Sequence, residues 1–105
     1  MTYNRIILTT TASRDEARKI ATALVDRRLA ACVNIVPGVK SVYRWKEKVE
    51  SSSEWLVVIK TSQKRFQAVQ EVIHELHTYD LPEVLSIAIE GGSKQYLKWL
   101  TQQVS

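Results

Sequence analysis

Apolar and polar positions alternate with a period of two through residues 32–45, and the alternation changes phase midway. Val33 and Ile35 share one face, Pro37-Gly38 interrupts, and Val39, Ser41, Tyr43 and Trp45 then share a face opposite Lys40, Val42, Arg44 and Lys46. A two-residue period is a strand pattern. Proline cannot donate to a ladder and glycine has little to pack, so the interruption predicts a bulge or bend at a sheet edge. A second strand is predicted over residues 49–61, joined to the first across Lys46-Glu47-Lys48 as a hairpin. Its centre, residues 55–59, is nearly all apolar and is expected to be covered on both sides. Each strand is about twice the usual five or six residues, which leaves part of the hairpin without a partner inside one domain. That part is expected to pair with another chain.

The remaining pattern supplies the other elements. Residues 3–11 carry Ile6-Ile7-Leu8 and three threonines, a buried first strand. Ser13, with Glu16 three places on, is a capping box, and the helix it starts places Ala17, Ile20, Ala21, Leu24 and Val25 at helical spacing. Ser62 stands where a second helix would be capped, with Phe66, Val69, Ile73 and Leu76 on its inner face and an end near His77. Thr78-Tyr79-Asp80-Leu81-Pro82 reads as a loop. A fourth strand over residues 84–90 is expected to turn Leu85, Ile87 and Ile89 inward. Gly91-Gly92-Ser93 closes it and caps a last helix holding Tyr96, Leu97 and Leu100. The order β-α-β-β-α-β plus a terminal helix predicts an α+β, ferredoxin-like sandwich, one domain over residues 1–105.

Composition narrows the function classes. Hydrophobic content of 45% and charged content of 25% are those of an ordinary globular domain. The net charge of +4 comes from interspersed residues rather than a basic arm, so no nucleic-acid partner is expected. One cysteine excludes an internal disulfide and fits a reducing compartment. No segment approaches the ~20 apolar residues of a membrane span, and no signal-peptide pattern opens the chain, so a cytoplasmic address and no membrane partner are expected.

Candidate chemistry is sparse. Cys32, between Ala31 and Val33, is expected to be a buried core thiol, with metal ligation the alternative. His77, Asp80 and Glu83 lie within seven residues around a turn. Imidazole and carboxylates so grouped could hold a divalent ion; a helix end with a cationic histidine and an exposed acidic loop is the other reading. Glu54 and Lys60 point to one face of an apolar strand, which predicts ion pairs in an assembly or a polar pocket. Tyr43, Trp45 and Trp55 suit subunit contacts. No glycine-rich phosphate loop, metalloprotease motif or aromatic RNA-binding strand motif is present.

Taken together, Leu29-Ala30-Ala31-Cys32-Val33-Asn34, Pro37-Gly38, Ser41-Val42-Tyr43-Arg44-Trp45, Glu54 with Lys60-Thr61, and His77-Thr78-Tyr79-Asp80-Leu81-Pro82-Glu83 resemble the divalent-cation tolerance (CutA) proteins. The resemblance covers nearly the whole chain. It implies a PII-like homotrimer of a non-catalytic protein responding to metal ions, with Tyr43, Trp45 and Trp55 between subunits. It also implies clefts there lined by Glu54, Lys60, Tyr79 and Trp45, and Cu(II) or another divalent cation bound weakly with His77, Asp80 and Glu83 as ligands. The alternative it leaves is a PII-like signalling module or enzyme that binds a small anionic ligand in the same clefts. The sequence departs from copper-binding relatives where a cysteine is replaced by Thr9 and paired histidines by Leu76-His77. It also carries Thr78 for a proline, Asp80 for a glutamate and Glu47 for a hairpin glycine.

Overall fold

The computed structural model describes residues 3–105. Its elements are β1 (Asn4–Thr11), α1 (Arg14–Asp26), β2 (Cys32–Trp45), β3 (Lys48–Ser62), α2 (Phe66–Leu76), β4 (Leu85–Ala88) and α3 (Lys94–Gln103). The four strands form one antiparallel sheet in the order β2-β3-β1-β4. This is the sandwich that the element order predicted.

Side-chain alternation divides the sheet into two unlike faces. Ile7, Val57 and Ile59 are fully buried with Ala17, Ile20 and Leu24 of α1 and Val69, Val72 and Ile73 of α2. Val33, Ile35 and Trp55 pack against that same core. The opposite face carries Ile6 beside Lys60 and Ile87, then Leu8 beside Val58 and Leu85. Leu56 and Val58 are only half-buried, so the centre of β3 is covered on one side rather than two. Leu85 and Ile87, expected inside, are 54% and 48% exposed. A period of two gives the face of each residue but not whether that face is filled by the same chain.

α3 lies on this second face, at one end. Its Tyr96 hydroxyl stands 3.7 Å from Cys32 Sγ, and the Tyr96 ring lies 5.9 Å from Lys60 Nζ. Cys32 and Lys60 are cross-strand partners. Cys32 is therefore half-buried on the open face, not an inert thiol of the core.

The hairpin forms a protruding arm, and the longest dimension of the molecule is 44 Å. Its ladder slips between Val36 and Val39, with Gly38 at φ 72°, so Pro37-Gly38 is the bulge the sequence predicts. The turn is tighter than expected: Lys48 already pairs with Trp45, leaving Lys46 and Glu47 as a two-residue loop with both φ positive. Turns of that type match the twist of the strands but favour Asn-Gly or Gly-Gly. At the other end, Ser62 does not cap a helix with its side chain. A 3-10 turn, Gln63–Arg65, intervenes before α2.

Candidate functional site: an acid-lined cleft at the root of the hairpin

The loop between α2 and β4 is fixed by a small set of buried polar contacts. Ser13 caps α1 as predicted, its hydroxyl accepting from the Glu16 N–H at 3.1 Å. The other half of the capping box goes elsewhere. The Glu16 carboxylate, 8% exposed, accepts from the Thr78 N–H at 2.8 Å and from the Thr78 hydroxyl at 3.1 Å. A glutamate in a first helical turn is favourably placed by the helix dipole, and here it also holds a loop 62 residues away.

His77 follows α2 as its C-cap, with its side chain fully buried. Nε2 lies 2.7 Å from the Thr10 carbonyl oxygen, and Nδ1 lies 3.1 Å from the Tyr79 amide nitrogen. A carbonyl only accepts and an amide N–H only donates, so these partners select the neutral ring protonated on Nε2. Glu16 Oε2 also approaches Nδ1, at 3.4 Å. In this tautomer the contact is not an ion pair, because Nδ1 has no proton to give.

The Tyr79 ring lies against the His77 ring, centroids 4.6 Å apart and planes tilted by 44°, and its hydroxyl donates to Glu54 Oε2 at 2.7 Å. Glu54 is 7% exposed and makes no ion pair among the described residues. Burial, then the hydrogen bond to Glu54, then the charge of that carboxylate together hold the Tyr79 phenol well above its ordinary pKa of 10.0. Tyr79 therefore stays a neutral donor. The pair forms one wall of a cleft of about 570 Å³, completed by Thr10, Ser41, Tyr43, Trp45, Asp80 and Glu83. Tyr43 and Trp45 present half-exposed rings to it. Its ionisable lining is Glu54, Asp80, Glu83, Tyr43 and Tyr79, and among the described residues no lysine, arginine or histidine joins them. A larger hollow, about 800 Å³, opens between the start of β1 and α3, but none of the sequence-derived site residues reaches it.

The structure thus brings Glu54, Tyr79, Trp45, Tyr43, Asp80 and Glu83 to one place. Lys60 is not there; it stands six residues along β3 from Glu54, over Tyr96. Trp55 packs on the core of its own chain rather than on the open face. The proposed metal ligands fit poorly: both His77 nitrogens are taken, Cys32 is on the α3 side, and no three His, Cys, Asp or Glu side chains converge among the described residues. Thr9 is fully buried on the covered face. Glu16 escaped sequence reasoning because its capping-box spacing already explained it.

Comparison with known proteins agrees with this fold. Residues 5–103 match the family model described as CutA1 divalent ion tolerance protein. A chloroplastic CutA protein of Arabidopsis thaliana is 46% identical over 90% of this chain, which spans only 52% of that relative. The divalent-cation tolerance protein CutA of Thermus thermophilus is 44% identical over 92% of this chain and 94% of its own length. Among solved structures, the Thermus thermophilus protein superposes with a TM-score of 0.95 at 42% identity, covering 97% of this chain and 99% of that one. A CutA from Archaeoglobus fulgidus, called periplasmic, gives a TM-score of 0.94 at 36% identity over 97% and 99% of the two chains. The chain belongs to the CutA1 divalent-ion tolerance family.

Proposed function

We propose that this chain acts without catalysis in divalent-cation tolerance, as a homotrimer whose ligand cleft lies at the root of each hairpin. The observation that carries the reading is the continuity of two unfinished surfaces. The open sheet face exposes Val36, Leu85 and Ile87, and it adjoins the cleft, which runs from Glu54 at the base of the arm towards Tyr43 and Trp45 near its turn. Burying an aliphatic side chain is worth about 1.5–3 kcal/mol, so a face of this kind strongly favours a second copy. A closed ring would give every hairpin a neighbouring edge.

Charge decides between the ligand classes. Glu54, Asp80 and Glu83 line the cleft while Lys60 stands outside it, which suits a cation and leaves a small anion without a counter-charge. Oxygen donors suit hard divalent ions, and a single chain offers no preformed three-ligand set. Weak binding follows, with water or a neighbouring chain completing the shell. His77 and Cys32 take no part in it. Among the described residues no helix is long and apolar enough to cross a membrane. The cytoplasmic address stays part of this proposal, since relatives carry chloroplastic and periplasmic names.

Titration calorimetry with Mn(II) and Cu(II) on the wild type, Glu54→Gln and His77→Asn tests the site. The reading expects weak binding that Glu54→Gln reduces and His77→Asn leaves unchanged. Loss in His77→Asn alone would restore the histidine as a ligand and overturn it. A thermal shift with nucleotides but with neither metal would favour a signalling module instead.

A further inference from the structure

We propose that His77 is a positioning residue, which through its Nδ1 acceptor sets where the Tyr79 hydroxyl stands against Glu54. The inference rests on the reading of the cleft as the ligand site, but its test does not. Four contacts lead from the core to the cleft in sequence. The Thr10 carbonyl of β1 orients the ring by accepting from Nε2 at 2.7 Å. Nδ1 then accepts from the Tyr79 N–H at 3.1 Å, fixing the backbone at that residue. The tyrosine ring lies beside the imidazole, centroids 4.6 Å apart and tilted by 44°. The phenol reaches Glu54 at 2.7 Å.

Glu16 fixes the intervening residue through Thr78, so three consecutive loop residues are each tied to a different element or to one another. Orientation of a side chain by a locked neighbour is how binding groups are held to within about half an ångström. The histidine of the His-Thr-Tyr-Asp segment therefore contributes geometry, and the tyrosine contributes the group that faces the cleft. Glu54 gains as well. A buried carboxylate with no cation beside it is costly, and the neutral phenol supplies its hydrogen bond.

Two substitutions divide the functions of the ring. The Asn side-chain oxygen falls near the place of Nδ1, so His77→Asn retains an acceptor for the Tyr79 amide. The Gln amide nitrogen falls near the place of Nε2, so His77→Gln retains only the donor to Thr10. Both lose the buried ring, so a merely structural role would affect them alike. The readout is taken by NMR at neutral pH: the exchange rate of the Tyr79 amide, which Nδ1 accepts from, and the nuclear Overhauser contact between the Tyr79 ring and the Glu54 side chain. The wild type and His77→Asn are expected to show a slowly exchanging amide and the contact to Glu54. His77→Gln is expected to show faster exchange and to lose that contact, with far-UV circular dichroism confirming the fold. Equal values in the two variants would overturn the proposal. If either variant fails to fold, the nitrogen-15 spectrum of the wild-type His77 ring decides. A proton on Nδ1 rather than Nε2 contradicts it, and an Nε2–H ring coupled to the Thr10 carbonyl supports it.

Discussion

The two faces of the sheet have similar composition but very different surroundings. On one, Ile7, Val57 and Ile59 are fully buried beneath α1 and α2. On the other, Leu56 and Val58 are half-covered and Leu85 and Ile87 lie in the open. α3 covers only one end of it, with Tyr96 beside Lys60 and Cys32. Equal apolarity with unequal cover means that the second face is written for something outside the chain. Monomeric domains seldom leave such a surface, because it invites association. The cleft sits where this open face meets the arm, so assembly and ligand site are parts of one question.

The contrast yields graded expectations. Ile59→Ala, on the covered face, removes packing that the chain itself supplies. It should lower stability by about 2–5 kcal/mol in denaturant titration, whatever the protein concentration. Ile87→Lys, on the open face, removes nothing from the intrachain core. Its melting temperature should fall because association is lost, and the gap from the wild type should widen as concentration rises. A deficit independent of concentration would show instead that Ile87 supports its own chain.

The third expectation concerns the cleft. An unfolded chain ionises Tyr79 near its ordinary pKa of 10.0, whereas the folded cleft keeps it neutral to higher pH. The contribution is therefore complete below about pH 10 and is lost as pH rises beyond it. Thermal melts between pH 9 and 11.5 should show a steeper loss for the wild type than for Tyr79→Phe. Parallel curves would mean that the phenol is not held by Glu54. The smallest effect belongs to the arm: Glu47→Gly relieves a positive φ in the two-residue turn and should add about 0.5–1 kcal/mol without changing assembly.

Much of the framework was legible in the sequence, for local reasons. The period of two through β2, the Pro37-Gly38 bulge, the Ser13 cap and the four-strand order depend on spacing or on backbone limits peculiar to proline and glycine. The site was legible only in part. Glu54, Tyr79, Asp80 and Glu83 line one cleft, whereas Lys60, grouped with Glu54 and Tyr79 in the sequence, lies away from it. Sequence spacing groups His77 with Asp80 and Glu83, while the fold points its ring at the Thr10 carbonyl. Glu16 and Thr78 are 62 residues apart, and Cys32 depends on which side α3 crosses. Those contacts arise from tertiary packing, which leaves no periodic trace.

Sedimentation equilibrium of the wild-type protein at micromolar concentration tests the central claim most directly. The account predicts one species of three times the 12.0 kDa chain mass throughout the micromolar range. A folded 12.0 kDa monomer across that range would contradict it, because the open face and the cleft beside it would then have to stand in water as they are.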